Sequence, residues 1–234
     1  MLSRVLFILA LCLSLVSCKG FIDQYKRSSS GTAAIDKKIL FDFRQNPATS
    51  LAKASLCTPP PAGCSQVLGQ VDGSFTYAAE TEQACLYKCA TGNKIDVSSQ
   101  GKLQVSGDTP FSAIVGKSDL NHDDKNELLL STETMHNGDI SREASLVNFE
   151  KNTLRPVEDF GIVYHDPCAA FVSADEARRK QLLAGGRTPF VEAVVIWYLP
   201  RPEHQMPSFT AQRYRAPCPT TAGAAPAGWK LITE

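Results

Sequence analysis

The densest run of metal-type ligands in the sequence is Asp119-Leu120-Asn121-His122-Asp123-Asp124-Lys125-Asn126-Glu127. Oxygen-bearing side chains stand at its first, third, fifth and ninth positions, and the backbone carbonyl of Lys125 adds a donor at the seventh. Calcium takes roughly six to eight hard oxygen ligands at about 2.3–2.6 Å. Alternate residues of a tight loop can turn Asp119, Asn121 and Asp123 towards one centre while Glu127 closes it, leaving Leu120 and Leu128 to pack away from the ion. The competing reading is a solvated acidic turn, because Asp and Asn side chains hydrogen-bond their own backbone two residues on.

The first half of this loop resembles an EF-hand loop, but its twelfth position is Leu130 where the bidentate Glu would stand, and its flanks read as strands. It is more similar to the Asp-x-Asn-x-Asp-x-x-x-Asp/Glu loop of FG-GAP repeats, found in integrin-type β-propeller blades. That resemblance implies a strand–loop–strand unit in which Asp119, Asn121, Asp123, Lys125 and Glu127 hold a structural calcium ion. The sixth position, usually Gly, is Asp124, a residue that tolerates the left-handed conformation better than most. Only one such loop and no internal repeat of useful length are present. A propeller takes at least about four blades, so a full propeller is not expected and no whole-chain family is recognised.

Eight cysteines punctuate the chain. Cys12 lies in the apolar N-terminal run and Cys18 stands two residues after its end. Cys57, Cys64, Cys85, Cys89, Cys168 and Cys218 remain, and an even number in an exported chain reads as three disulfides. Spacing leaves Cys57 with Cys64, or a pairing of that segment with Cys85 and Cys89, both open; Cys168 with Cys218 would staple the C-terminal region. No Cys-x-x-Cys occurs and the four histidines are scattered, which disfavours a zinc or thioredoxin-like site.

The address is written in the first residues. Arg4 precedes an apolar run from Val5 to Val16, interrupted by Ser14, the plan of a secretory signal and too short for a membrane-spanning helix of about 20 residues. Leu15-Val16-Ser17-Cys18 resembles the lipobox of bacterial lipoproteins. That resemblance implies removal of residues 1–17 and lipidation of Cys18, with palmitate among the acyl chains. Several chains on one residue give lasting attachment where one gives marginal binding. Lys19 follows the cysteine and not an Asp, so an outer-membrane anchor facing periplasm or surface is expected.

Other chemistry-bearing matches are weaker. Ser50-Leu51-Ala52-Lys53 and Ser99-Gln100-Gly101-Lys102 fit the Ser-x-x-Lys of penicillin-recognising enzymes but lack the companion motifs. His165 beside Asp166 has the composition of an acid–base pair, yet adjacent strand residues point to opposite faces, and Pro167-Cys168 reads as a turn entering a disulfide. Trp197–Pro202 reads as buried strand with a rigid exit, or as an exposed partner-binding edge.

The elements that must position these groups are mostly strands. Residues 18–35, with Ser28-Ser29-Ser30-Gly31, read as a tether; residues 36–218 as one mainly β domain; residues 219–234 as a loose tail. Ile39–Phe43 reads as a strand or short helix, and Thr81–Cys89 as a helix with Cys85 and Cys89 on one face. Phe111–Val115, Leu128–Thr134, Ile140–Phe149 and Leu154–Val157 form an antiparallel meander turning at Asn137-Gly138 and Lys151-Asn152, with Gly161–Tyr164 extending it. Ser173 caps a helix that Gly185-Gly186 ends. Val191–Leu199 is a buried central strand, and Ser208–Tyr214 the last strand. The fold class is therefore mainly β (α+β), an antiparallel meander with one or two helices, stapled by disulfides.

With Lys+Arg and Asp+Glu at 24 each and 43% apolar residues, the chain can bury a core but has no basic face for nucleic acid. The expected function is a membrane-anchored envelope lipoprotein that presents a calcium-stabilised binding or scaffold domain to an envelope partner. The alternatives are a small periplasmic hydrolase using His165 with a carboxylate from Asp119–Glu127, or an inhibitor or accessory protein of a cell-wall enzyme.

Overall fold

The computed structural model describes residues 36–45, 57, 60–151, 153–172, 174–221 and 224–233. The signal, Cys18, the tether, Ser50–Lys53 and Ser173 lie outside them. Two units divide the chain, Met1–Asp36 and Lys37–Glu234, and the following concerns the second. Strand makes up 57% of the structure and helix 8%, in antiparallel sheets, one of them curled, that form neither a closed barrel nor a propeller.

In chain order the strands are β1 (Lys38–Asp42), β2 (Cys64–Gly73), β3 (Glu82–Cys89), β4 (Gly92–Ser99), β5 (Lys102–Thr109), β6 (Ala113–Ser118), β7 (Glu127–His136), β8 (Asp139–Glu150) and β9 (Thr153–Asp166). Two helices follow, α1 (Cys168–Val172) and α2 (Glu176–Ala184), and then β10 (Phe190–Leu199), β11 (Ser208–Pro217) and β12 (Lys230–Leu231). Strands β2 to β5 form a four-stranded meander. Strands β6 to β12 form a second sheet in sequential order, with β1 added against β10.

Tight turns set this order. Asn137 and Gly138 both have positive φ (51° and 83°), as do Gln100 and Gly101 (49° and 76°), the geometry that lets a two-residue turn follow the twist of its strands. Ser99 and Lys102 are simply the paired residues flanking the second turn. Three register shifts between β8 and β9 are bulges, which bend strands and add twist. As β9 curls, it keeps only two pairs with β10, Glu192↔His165 and Ala193↔Tyr164. Beyond them β1 takes over that edge of β10, from Val195 to Tyr198.

The two sheets meet over β6 to β8. Ile114, Leu128, Leu130, Val147 and Phe149 pack against Ala84, Leu86, Ile95, Val97 and Val105 of the smaller sheet. Val115, Leu129, Ala144 and Leu146 belong instead to a second core with Val163, Val191 and Val194. The small sheet has a further cluster of Cys57, Cys85 and Tyr87.

Several local expectations change. Thr81–Cys89 is not a helix: β3 alternates, sending Ala84 and Leu86 to the inter-sheet core and Cys85 and Tyr87 to the cluster on the other face. A spacing of four residues keeps two side chains on one face in a strand as well as in a helix, so the cysteine spacing did not discriminate. The cap of α2 is Asp175, whose carboxylate accepts from the Arg178 amide at 2.8 Å. Trp197 is no exposed edge, since β10 there lies between β1 and β11, with Ile39 on one side and Thr210 on the other. Beyond Ser208–Tyr214 the chain returns once more: β12 pairs with β11 and Trp229 packs on the core.

The cysteines pair as Cys57–Cys85, Cys64–Cys89 and Cys168–Cys218, so the bridge from Cys57 to Cys64 is not the one formed. The first binds the segment before β2 to β3, and the second joins the start of β2 to the end of β3. The third spans 50 residues and, on chain entropy, stabilises by about 4 kcal/mol. Replacing Cys168 and Cys218 together by Ser is expected to lower the free energy of unfolding by about that amount, read by urea denaturation. A peptide map of the unreduced protein should return these three linkages and no others.

Candidate metal centre

The acidic loop lies between β6 and β7, as its flanks foretold. Its oxygens are turned onto its own backbone. Asp119 accepts from the amides of Asp123 and Asp124, both at 3.2 Å; Asn121 also accepts from Asp123 at 3.2 Å; Asp123 accepts from Lys125 at 3.0 Å. His122 and Asp124 take positive φ (57° and 63°), so Asp124 does adopt the left-handed conformation at the position where the pattern has Gly. Leu120 and Leu128 are buried, in different cores.

Glu127 opens β7, 2% exposed, and accepts from the Leu120 amide at 2.9 Å. Burial pushes its carboxyl up to about 7; the Leu120 amide opposes the rise, while the negative charges of Asp123 and Asp119 add to it. A cation beside this group would relieve that repulsion. The donors are hard oxygens, the kind calcium takes, so Asp119, Asn121, Asp123, Glu127 and the Lys125 carbonyl fit such an ion in chemistry. Among the described residues no three His, Cys, Asp or Glu side chains gather as a ready cage, and the Lys125 ammonium stands 3.6 Å from Asp123.

The loop is also a junction. Asn126 exchanges bonds with Ser74 on the loop between β2 and β3: its amide donates to the Ser74 carbonyl at 2.5 Å and its Oδ1 accepts from the Ser74 amide at 3.0 Å. The Ala79 amide donates to the Asp124 carbonyl at 3.3 Å, and His204, from the turn between β10 and β11, donates to the Asn121 carbonyl at 2.6 Å. One loop thus bonds both to the β2–β3 loop of the small sheet and to the β10–β11 turn of its own sheet.

A counterpart went unread in the sequence. Ser74–Glu82 has the same nine-residue frame, and Glu82 opens β3 as Glu127 opens β7. Glu82 is 1% exposed and accepts from the amide of Phe75, the frame's second residue, at 2.5 Å, as Glu127 does from Leu120. Thr76 donates to Glu82 through both its amide and its hydroxyl. Ala78 occupies the fifth position, so the ligand pattern is broken there, which is why a search by metal ligands passes over it.

His165 and Asp166 are not brought together as an acid–base pair. The Asp166 carboxylate accepts from the Cys168 amide at 2.8 Å and from the Tyr164 hydroxyl at 3.3 Å, anchoring the start of α1. Nor does His165 meet the acidic loop. It shares a cross-strand row with Ser141 and Thr134, and Thr134 lies seven residues along β7 from Glu127, roughly 23 Å of strand.

No family model matches the chain, and no curated protein or solved structure matches it.

The junction leaves no room at Gly73. A Cβ there would lie 2.5 Å from Asn126 Oδ1 and 2.7 Å from Phe75 Cζ, whereas one at Gly107 would meet nothing within 4 Å. Gly73→Ala is therefore expected to destabilise the domain by about 1–3 kcal/mol, and Gly107→Ala to leave stability almost unchanged, both read by chemical denaturation. Equal midpoints for the two variants would contradict so tight a contact.

Proposed function

We propose that this protein is a lipoprotein of the bacterial envelope, held on the membrane through Cys18, most simply on the outer membrane facing periplasm or surface. In this reading the folded domain is a calcium-stabilised binding or scaffold module for an envelope partner. The observation that carries it is the agreement between two unrelated features. Six cysteines of the domain are joined in three disulfides, a chemistry that persists in oxidising, exported compartments. Leu15-Val16-Ser17-Cys18 closes an apolar run of export type. The acidic loop supports a structural ion over a catalytic one, because its backbone is bonded to two other loops and stabilising it would fix three connections together.

Each half of the reading has its own test. Expressed in a bacterial host fed an alkyne analogue of palmitate, the chain is expected to take up label and sediment with membranes, and Cys18→Ala to lose both; label retained in Cys18→Ala would remove the anchor. For calcium, the chelator-stripped domain should melt higher on adding the ion, by about 2.7 kcal/mol at a free concentration of about 100 times Kd. Asp119→Ala combined with Asp123→Ala should abolish that rise. No shift at millimolar calcium with the loop intact would leave the loop as a metal-independent turn.

A further inference from the structure

A second site lies away from the acidic loop, where β9 parts from β10. Strand register sets Ser141 on β8, His165 on β9 and Glu192 on β10 directly opposite one another. Residues paired in this way share a face of the sheet, with Cβ atoms about 5 Å apart. Beside this row stand Ile162, registered opposite Glu143 on β8, and Val194, two residues along β10 from Glu192. All five side chains, with Arg213, line one open cleft of about 390 Å³. This is the general plan of a small-molecule site, an apolar floor under a few convergent polar groups.

The order of the row has chemical meaning. A hydroxyl stands on one side of an imidazole and a carboxylate on the other, the arrangement in which a histidine removes a proton from a nucleophile while an acid fixes its tautomer. The carboxylate is itself held: Arg215 on β11 donates to Glu192 Oε1 through Nε at 3.1 Å and Nη2 at 2.7 Å, and both bonds fall on one oxygen. Among the described residues the His165 ring makes no hydrogen bond. Such bonds in unliganded sites often tighten only when substrate is present.

We infer that Ser141, His165 and Glu192 form a serine hydrolase site for small carboxylic esters with an apolar acyl group. This goes beyond the anchored-scaffold reading and does not depend on it. In the first half-reaction the Ser141 oxygen bonds to the acyl carbon, and its proton passes to the His165 ring. The ester C–O bond then breaks and the leaving alcohol takes that proton. In the second half, water adds to the acyl carbon and gives a proton to His165; the bond to Ser141 breaks, and the proton returns to its oxygen. The net change is ester plus water to acid plus alcohol, with no redox step. Ile162 and Val194 take the acyl chain, and Glu192 is a positioning residue for His165.

The test uses the oxidised, folded domain with a fluorophosphonate probe and p-nitrophenyl butyrate. The probe is expected to label Ser141, located by peptide mass. Ser141→Ala and His165→Ala should each lower hydrolysis by about 100-fold or more with unchanged melting temperatures. Glu192→Gln should lower kcat with KM unchanged and shift the pH–rate profile; a profile identical to the parent's would take Glu192 out of the row. Hydrolysis undiminished in Ser141→Ala overturns the proposal. Should that variant fail to fold, the unaltered chain decides: no label, or a label on another residue, overturns it as well.

Discussion

Burial of β7 on two sides is the constraint from which most of the structure follows. Leu128 and Leu130 face the small sheet while Leu129 faces the other core, and all three are 0–2% exposed. Such a strand cannot lie at a free surface and cannot slip by one residue without exchanging its two apolar sets. It therefore fixes how the four-stranded sheet rests on the curled one. It also fixes the acidic loop, because Glu127 is the first residue of the same strand and holds the Leu120 amide from there.

Charge is placed sparingly around these cores. Arg142 is nearly buried, bonded to Glu133 at 2.5 Å and lying over the Tyr164 ring at 4.8 Å, its Nη1 without a hydrogen-bond partner among the described residues. Burial, chiefly, pushes the Tyr164 hydroxyl well above the usual phenol range, and the nearby Asp166 charge adds to it. Glu82 and Glu127 are buried at the corresponding ends of two strands, each on loop amides. A buried carboxylate is tolerable where backbone donors satisfy it, and here that need is used to clamp a loop.

The two loops divide that task differently. Ser74–Glu82 is closed by neutral donors, Thr76 among them, whereas Asp119–Glu127 carries four carboxylates, counting Asp124, along a frame of the same length. Their bonds to each other through Asn126 and Ser74 make the stability of one a condition for the order of the other. Two of the disulfides act at the far side of the small sheet, one binding the segment before β2 onto β3 and the other joining β2 to β3.

Alternation, turn chemistry and ligand spacing are local properties, and they were legible in the chain. Asn137-Gly138 specified a turn with positive φ at both residues, Val191–Leu199 announced a buried strand, and the loop Asp119–Glu127 stood out between two apolar runs. Cysteine count required three bridges, but partner choice depends on which strands lie side by side, and β3 was misread because a spacing of four serves helix and strand alike. The strands β4 and β5 carry polar residues on the face turned from the core, so their weak apolar signal did not mark a second sheet. Likewise Ser141, His165 and Glu192 are separated by 24 and 27 residues in the chain, and only the register across β8, β9 and β10 sets them in one row. Sequence fixes what each short segment prefers; which segments become neighbours is decided by the packing that buries β7 on both faces.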